Sequence, residues 1–103
     1  MYQDFIANRI AQLRIEKGVS AREMSLSLGL ADNYINHIEN RKSLPSITSF
    51  IYICEYLHVT PMEFFDIDNK SPEELNKLIS DLKKLDKNTL SHISEIIQKI
   101  IHR

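Results

Sequence analysis

Two groups of residues in this 103-residue chain have types and spacings that could do chemistry. Cys54 and His58 lie four apart, which on a helix puts a thiol and an imidazole on one face, able to hold a metal or to pair as nucleophile and base. Neither reading completes itself. No third or fourth ligand sits at a partnering spacing, no glycine-rich cradle or paired carboxylates accompany the cysteine, and a lone cysteine commonly serves as a small core residue. No catalytic residue, metal or cofactor is assigned, and the chain is not read as an enzyme.

The second group is Asp32, Asn33, Tyr34, Asn36 and His37, within LGLADNYINHIENRKSLPS, Leu28 to Ser46. Ile35 and Ile38 set the inner stripe of a helix barely two turns long, which leaves those five side chains outside it. The face is dense in groups that hydrogen-bond. By itself it also describes an ordinary solvated helix surface.

The elements that must position this face are helical. Hydrophobic residues make up 43% and charged residues 26%, the balance of a folded chain, while two glycines, three prolines and the lack of alternating β-branched runs favour helix over strand. The length allows one ordinary domain, or a small domain with a short appendage. No apolar run approaches the ~20 residues that span a bilayer, so no membrane segment is expected. One cysteine permits no internal disulfide, and the first residues lack a basic-then-apolar leader, which points to the cytoplasm. The net charge of -1 counts mildly against a polyanionic partner.

Ile6, Ile10 and Leu13 recur at helical spacing from Phe5, and Lys17-Gly18 closes a first helix of roughly residues 3 to 17. Ser20 followed by Glu23 is a capping box that opens a short second helix with Met24 and Leu28 inward, ended by Gly29. The third helix is the one carrying the polar face, and Pro45 stops the chain continuing in helix. Ser46 caps a fourth, whose Ile47, Phe50, Ile51, Ile53, Cys54 and Leu57 cover more than one face, the pattern of a central and largely buried helix. Thr60-Pro61-Met62-Glu63 starts a brief fifth, with Phe64 and Phe65 closing the core. Asp66 to Lys70 reads as a linker. Beyond it, Leu75, Leu78, Ile79, Leu82 and Leu85 form one stripe and Leu90, Ile93, Ile97, Ile100 and Ile101 a second, broken at Asp86 to Asn88, as in a helical hairpin.

Five helices with a short second and third, together with RIEKGVSAREMSLSLGLADNYINHIENRKSLPS and the following VTPMEFF, resemble the lambda-repressor-like helix-turn-helix domain of the XRE family. The resemblance covers roughly Phe5 to Phe65 and rests on many spaced positions. It implies an all-α fold: a five-helix helix-turn-helix domain over residues 1–68, then a C-terminal helical hairpin over 69–103. It further implies that the third helix lies in the DNA major groove, with Asp32, Asn33, Tyr34, Asn36 and His37 reading base edges. Asparagine suits that task, because a carboxamide can donate to and accept from adenine together. Ala21 and Arg22 at the start of the second helix, and Arg41, Lys42 and Ser43 after the third, would meet phosphate. Arg14 and Glu39 match a structural ion pair joining the first helix to the third. The family commonly carries glycine where Arg41 stands, a sign of left-handed backbone there.

The expected function is a sequence-specific transcriptional regulator of double-stranded DNA, a repressor binding an inverted-repeat operator as a homodimer. Residues 1–68 hold six Lys and Arg against nine Asp and Glu, so phosphate contacts per subunit should be few and a dimer needed. The hairpin stripes would supply its interface. The alternative is a protein-interaction module of antitoxin or anti-regulator type, whose hairpin binds another protein.

Overall fold

The computed structural model describes residues 2–102, and all regular structure among them is helical, as the sequence predicts. The order is α1 (Tyr2–Lys17), α2 (Ala21–Ser27), α3 (Tyr34–Glu39), α4 (Ile47–Tyr56), α5 (Pro61–Phe65), α6 (Pro72–Leu82) and α7 (Lys87–Ile101). The chain forms two compact units, Met1–Pro72 and Glu73–Arg103. No helix among the described residues is long and apolar enough to cross a membrane.

Helices this short depend on how their ends are satisfied. Ser20, Ser46 and Thr60 accept the N–H of Glu23, Ser49 and Glu63 at 2.9, 3.1 and 3.1 Å, capping α2, α4 and α5. At α5 the Glu63 carboxylate also accepts the Thr60 N–H at 2.9 Å, so the box is reciprocal. The first four helices share one kind of C-terminal end. After each C-cap comes a left-handed residue: Gly18 (φ 81°), Gly29 (φ 73°), Arg41 (φ 61°) and His58 (φ 57°). That residue and the next donate back to last-turn carbonyls: Gly18 and Val19 to Ile15 and Arg14, Gly29 and Leu30 to Leu26 and Ser25. Arg41 and Lys42 donate to Ile38 and His37, and His58 and Val59 to Glu55 and Cys54. This is the paired closure of a Schellman motif.

The core of the first unit is Ile10, Leu13, Met24, Ile35, Ile38, Ile53, Cys54, Leu57, Val59 and Phe64. Phe50 meets Phe64 edge-on, with ring centres 4.9 Å apart. Three expectations need correction. α4 buries one face only: Ile53, Cys54 and Leu57 are covered, but Ile47 is 81% and Ile51 44% exposed, because α4 has neighbours on one side. Phe65 is exposed and lies flat against Phe5 at 5.8 Å rather than inside. Tyr34, placed outside α3 by the stripe, is half-buried and packs against the core.

Two arginines of α1 tie the unit together. Arg14 grips Glu39 with both prongs, Nε to Oε2 at 2.7 Å and Nη2 to Oε1 at 2.9 Å, and donates to the Val19 carbonyl at 2.9 Å. The carboxylate bond raises the Arg14 pKa against the opposing effect of burial. Arg9, which the sequence reading passed over, is only 2% exposed. Its guanidinium donates to the carbonyls of Glu63, Phe64, Asp66 and Asn69 at 2.6 to 3.0 Å and to Gln12 Oε1 at 2.7 Å. Burial pulls its pKa down, with the Asp66 charge opposing. The stretch read as a linker is thus fastened, at least to Asn69, onto α1.

Arg14→Ala strands the Glu39 carboxylate in a mostly covered site and should cost about 2 kcal/mol, the range for a hydrogen bond to a charged group. Chemical unfolding monitored by circular dichroism would read it as an earlier midpoint. At both His58 and Arg41 the left-handed backbone carries a steric cost of about 1 kcal/mol that a glycine would not bear.

Candidate nucleic-acid interface

The polar face predicted from the sequence sits on α3, and the turn before it decides how it is presented. Gly29 reverses the chain after α2, and a Cβ built there would meet nothing within 4 Å. Its role is conformational, not one of close packing. Asn33 holds the N-cap position of α3 but makes no side-chain cap bond. Asp32, Asn33 and Asn36 are exposed, and His37, like Tyr34, is half-buried.

These side chains are partly ordered against one another. The Asn33 amide N–H reaches His37 Nε2 at 3.3 Å, one turn further on, which uses that ring nitrogen as acceptor and leaves Nδ1 to carry the proton. Asn40 donates to Asn36 Oδ1 at 3.0 Å and so orients that carboxamide with its NH2 outward from the pair. Two neighbouring amides on consecutive turns make a short row of donors and acceptors. Such a row is chemically suited to base edges.

The flanking residues fall into different situations. Ala21, at the start of α2, is half-buried against the core and accepts the Ser25 hydroxyl at its carbonyl. Arg22 is exposed and stands 3.6 Å from Asp32 across the turn, an ion pair in full contact with water. Lys42 is exposed and Ser43 half-buried. Arg41 is engaged most heavily. Its Nε donates to Asp4 at 2.6 Å, its Nη2 to Asn8 at 2.8 Å and its Nη1 to the Glu39 carbonyl at 2.8 Å, while Gln3 donates to its backbone oxygen at 2.8 Å. The Arg41 guanidinium holds the Asp4 carboxyl below the usual range. Arg22 and Arg41 therefore each face an in-chain carboxylate that an incoming phosphate would have to displace.

Away from this face, Cys54 is buried, and burial with the neighbouring Glu55 charge pushes its thiol up to about 11. A thiol held so firmly in its neutral form is a packing residue. Among the described residues no group of three or more His, Cys, Asp or Glu could hold a metal ion. In the second unit, Asp86 caps α7 by accepting the Thr89 N–H at 2.7 Å, and the Thr89 hydrogen bonds lower its pKa. Leu82 and Ile93 are half-buried, whereas Leu75, Leu78, Ile79, Leu85, Leu90, Ile97, Ile100 and Ile101 are 38% to 63% exposed.

Residue by residue, the sequence reading missed Ser25 and Arg9. Ser25 lies fully buried in α2, and its hydroxyl accepts the Ile35 N–H of α3 at 3.0 Å. A serine inside a short helix gives no local signal that its partner is a backbone amide ten residues away.

A family model described as a helix-turn-helix domain matches residues 7–70. A search of curated proteins finds no match. Among solved structures, a mutant of the restriction-modification controller protein C.Esp1396I is similar at a TM-score of 0.59 and 24% sequence identity, covering 82% of this chain and 94% of that one. At that identity the likeness bears on the fold. With the matched segment running from the middle of α1 to the end of the Arg9-fastened stretch, the chain belongs to the helix-turn-helix domain family.

Proposed function

We propose that this chain is a DNA-binding transcriptional regulator of the XRE form that reads DNA through α3, as a homodimer on an inverted repeat, and represses by occluding the promoter. The observation that carries the reading is the exposed row of Asn33 and Asn36, with His37 bonded to the first, on a helix whose opposite face is locked into the core. Asn33 and Asn36 read adenine edges, His37 offers a donor to guanine, Asp32 accepts from cytosine, and Tyr34 brings an apolar ring edge toward a thymine methyl. Arg22, Lys42 and Ser43, with Ala21 through its backbone and Arg41 on release from Asp4, meet phosphate and set the register.

The stripes of α6 and α7 are the dimer surface in this reading. They leave eight large aliphatic residues more than a third exposed, a surface that a soluble chain ordinarily covers. Pairing with a second copy would bring two α3 helices onto half-sites about one turn, ~34 Å, apart. The acidic balance of the first unit favours the rival reading, in which the hairpin docks on a different protein. Salt separates the two, because DNA affinity falls steeply with ionic strength while an apolar protein interface holds.

Selection from random duplexes should enrich an inverted repeat. Asn33→Ala and Asn36→Ala should each lower discrimination at one position by about tenfold, within the range for a bidentate base contact. No enriched motif, or one indifferent to both changes, would refute the readout. Mass in solution should be twice the 12.0 kDa of one chain. Leu78→Lys combined with Ile97→Lys should return it to a single chain, and a monomeric parent would remove the dimer.

A further inference from the structure

α3 has six residues and lacks a cap of its own. Its N-cap residue Asn33 has φ -100° and ψ 6° and makes no side-chain bond to the helix it precedes. The N–H of Ile35, second in the helix, is one of the donors that a cap would normally satisfy. Ile35 is fully buried, so water is not the substitute. The acceptor is Ser25 Oγ, 3.0 Å away on α2.

Ser25 is held so that this oxygen has one orientation. Its hydroxyl donates to the Ala21 carbonyl at 2.8 Å, which directs a lone pair toward α3. Its own carbonyl accepts the Leu30 N–H at 3.0 Å, the outer bond of the closure around Gly29. One residue therefore holds both halves of the motif: its backbone oxygen closes the turn, and its side-chain oxygen caps the helix that the turn delivers.

We propose that Ser25 is a positioning residue for base readout, capping α3 from the neighbouring helix and so setting the angle at which Asn33, Asn36 and His37 are presented. This rests on the reading of α3 given above. Ser25 touches no DNA. Its removal leaves the Ile35 N–H either buried without an acceptor or drawn toward water, and the second course rolls α3 about its first turn. Paired hydrogen bonds to a base edge need sub-ångström placement, whereas phosphate contacts from Arg22 and Lys42 adapt by side-chain motion. Specific and non-specific affinity should therefore separate.

The test uses the full chain and measures binding to the selected duplex and to a scrambled duplex, with hydrogen exchange at the Ile35 amide. Ser25→Ala should lower affinity for the selected duplex about tenfold, leave that for the scrambled one within twofold, and abolish the slow exchange of Ile35. Ser25→Cys, equal in shape but a weaker acceptor, should fall between and supplies the answer where alanine compromises folding. The ratio of the two affinities is the deciding quantity, since a partly unfolded variant loses both equally. An unchanged ratio with a parent that does select a sequence, or an Ile35 amide still protected in Ser25→Ala, overturns the proposal. A parent that selects no sequence instead overturns the reading of α3 on which it rests.

Discussion

Helices of five to ten residues do not hold together by backbone bonding alone, because too large a share of their N–H and C=O groups lies in unsatisfied end turns. The first unit answers that constraint at nearly every junction. Serine or threonine caps open three helices, and left-handed residues close four. α3 receives no side-chain cap from its own N-cap residue, and there the missing bond comes from across the motif. The orientation of the polar row follows from where each chain reversal can find its hydrogen bonds, with the apolar core filling the space so defined.

The same economy governs charge. All four arginines of the first unit, Arg9, Arg14, Arg22 and Arg41, face in-chain oxygen, two of them in covered or mostly covered sites. Where these cations sit therefore says more about this surface than their balance against the anions. Arg9 and Arg14 work as scaffold, joining α1 to α5 and α3. Arg22 and Arg41 are poised differently, each at the rim of the polar row with a carboxylate that solvent can reach. Such exposed pairs contribute little to stability. They can be exchanged for another anion at small cost.

How much of this the sequence announced depends on how local the cause is. Ser20, Ser46, Thr60 and Gly29 were legible because a cap or a left-handed turn is written in one or two residues. The stripes of α6 and α7 were legible because amphipathic spacing is. α4 was misjudged: Ile47 and Ile51 are as apolar as Ile53, and only the placement of neighbouring helices decides which of them is covered. His58 as a left-handed closure, Arg9 as a clamp and Ser25 as a distant cap were illegible for a common reason. Their partners are backbone groups, which carry no side-chain signature and are brought close only by the finished fold. Arg41 lay between, its backbone indicated by the family pattern and its grip on Asp4 and Asn8 not.

The Arg9 clamp makes the residues after α5 behave as a ruler instead of a tether. Four carbonyls between Glu63 and Asn69 are matched to one planar, permanently charged fork. Adding or deleting a residue within that span would throw the later oxygens out of register with it, and a lysine, with its single ammonium, could not serve the same set. The length of this segment is consequently as constrained as a core side chain, although its composition looks like that of any surface loop.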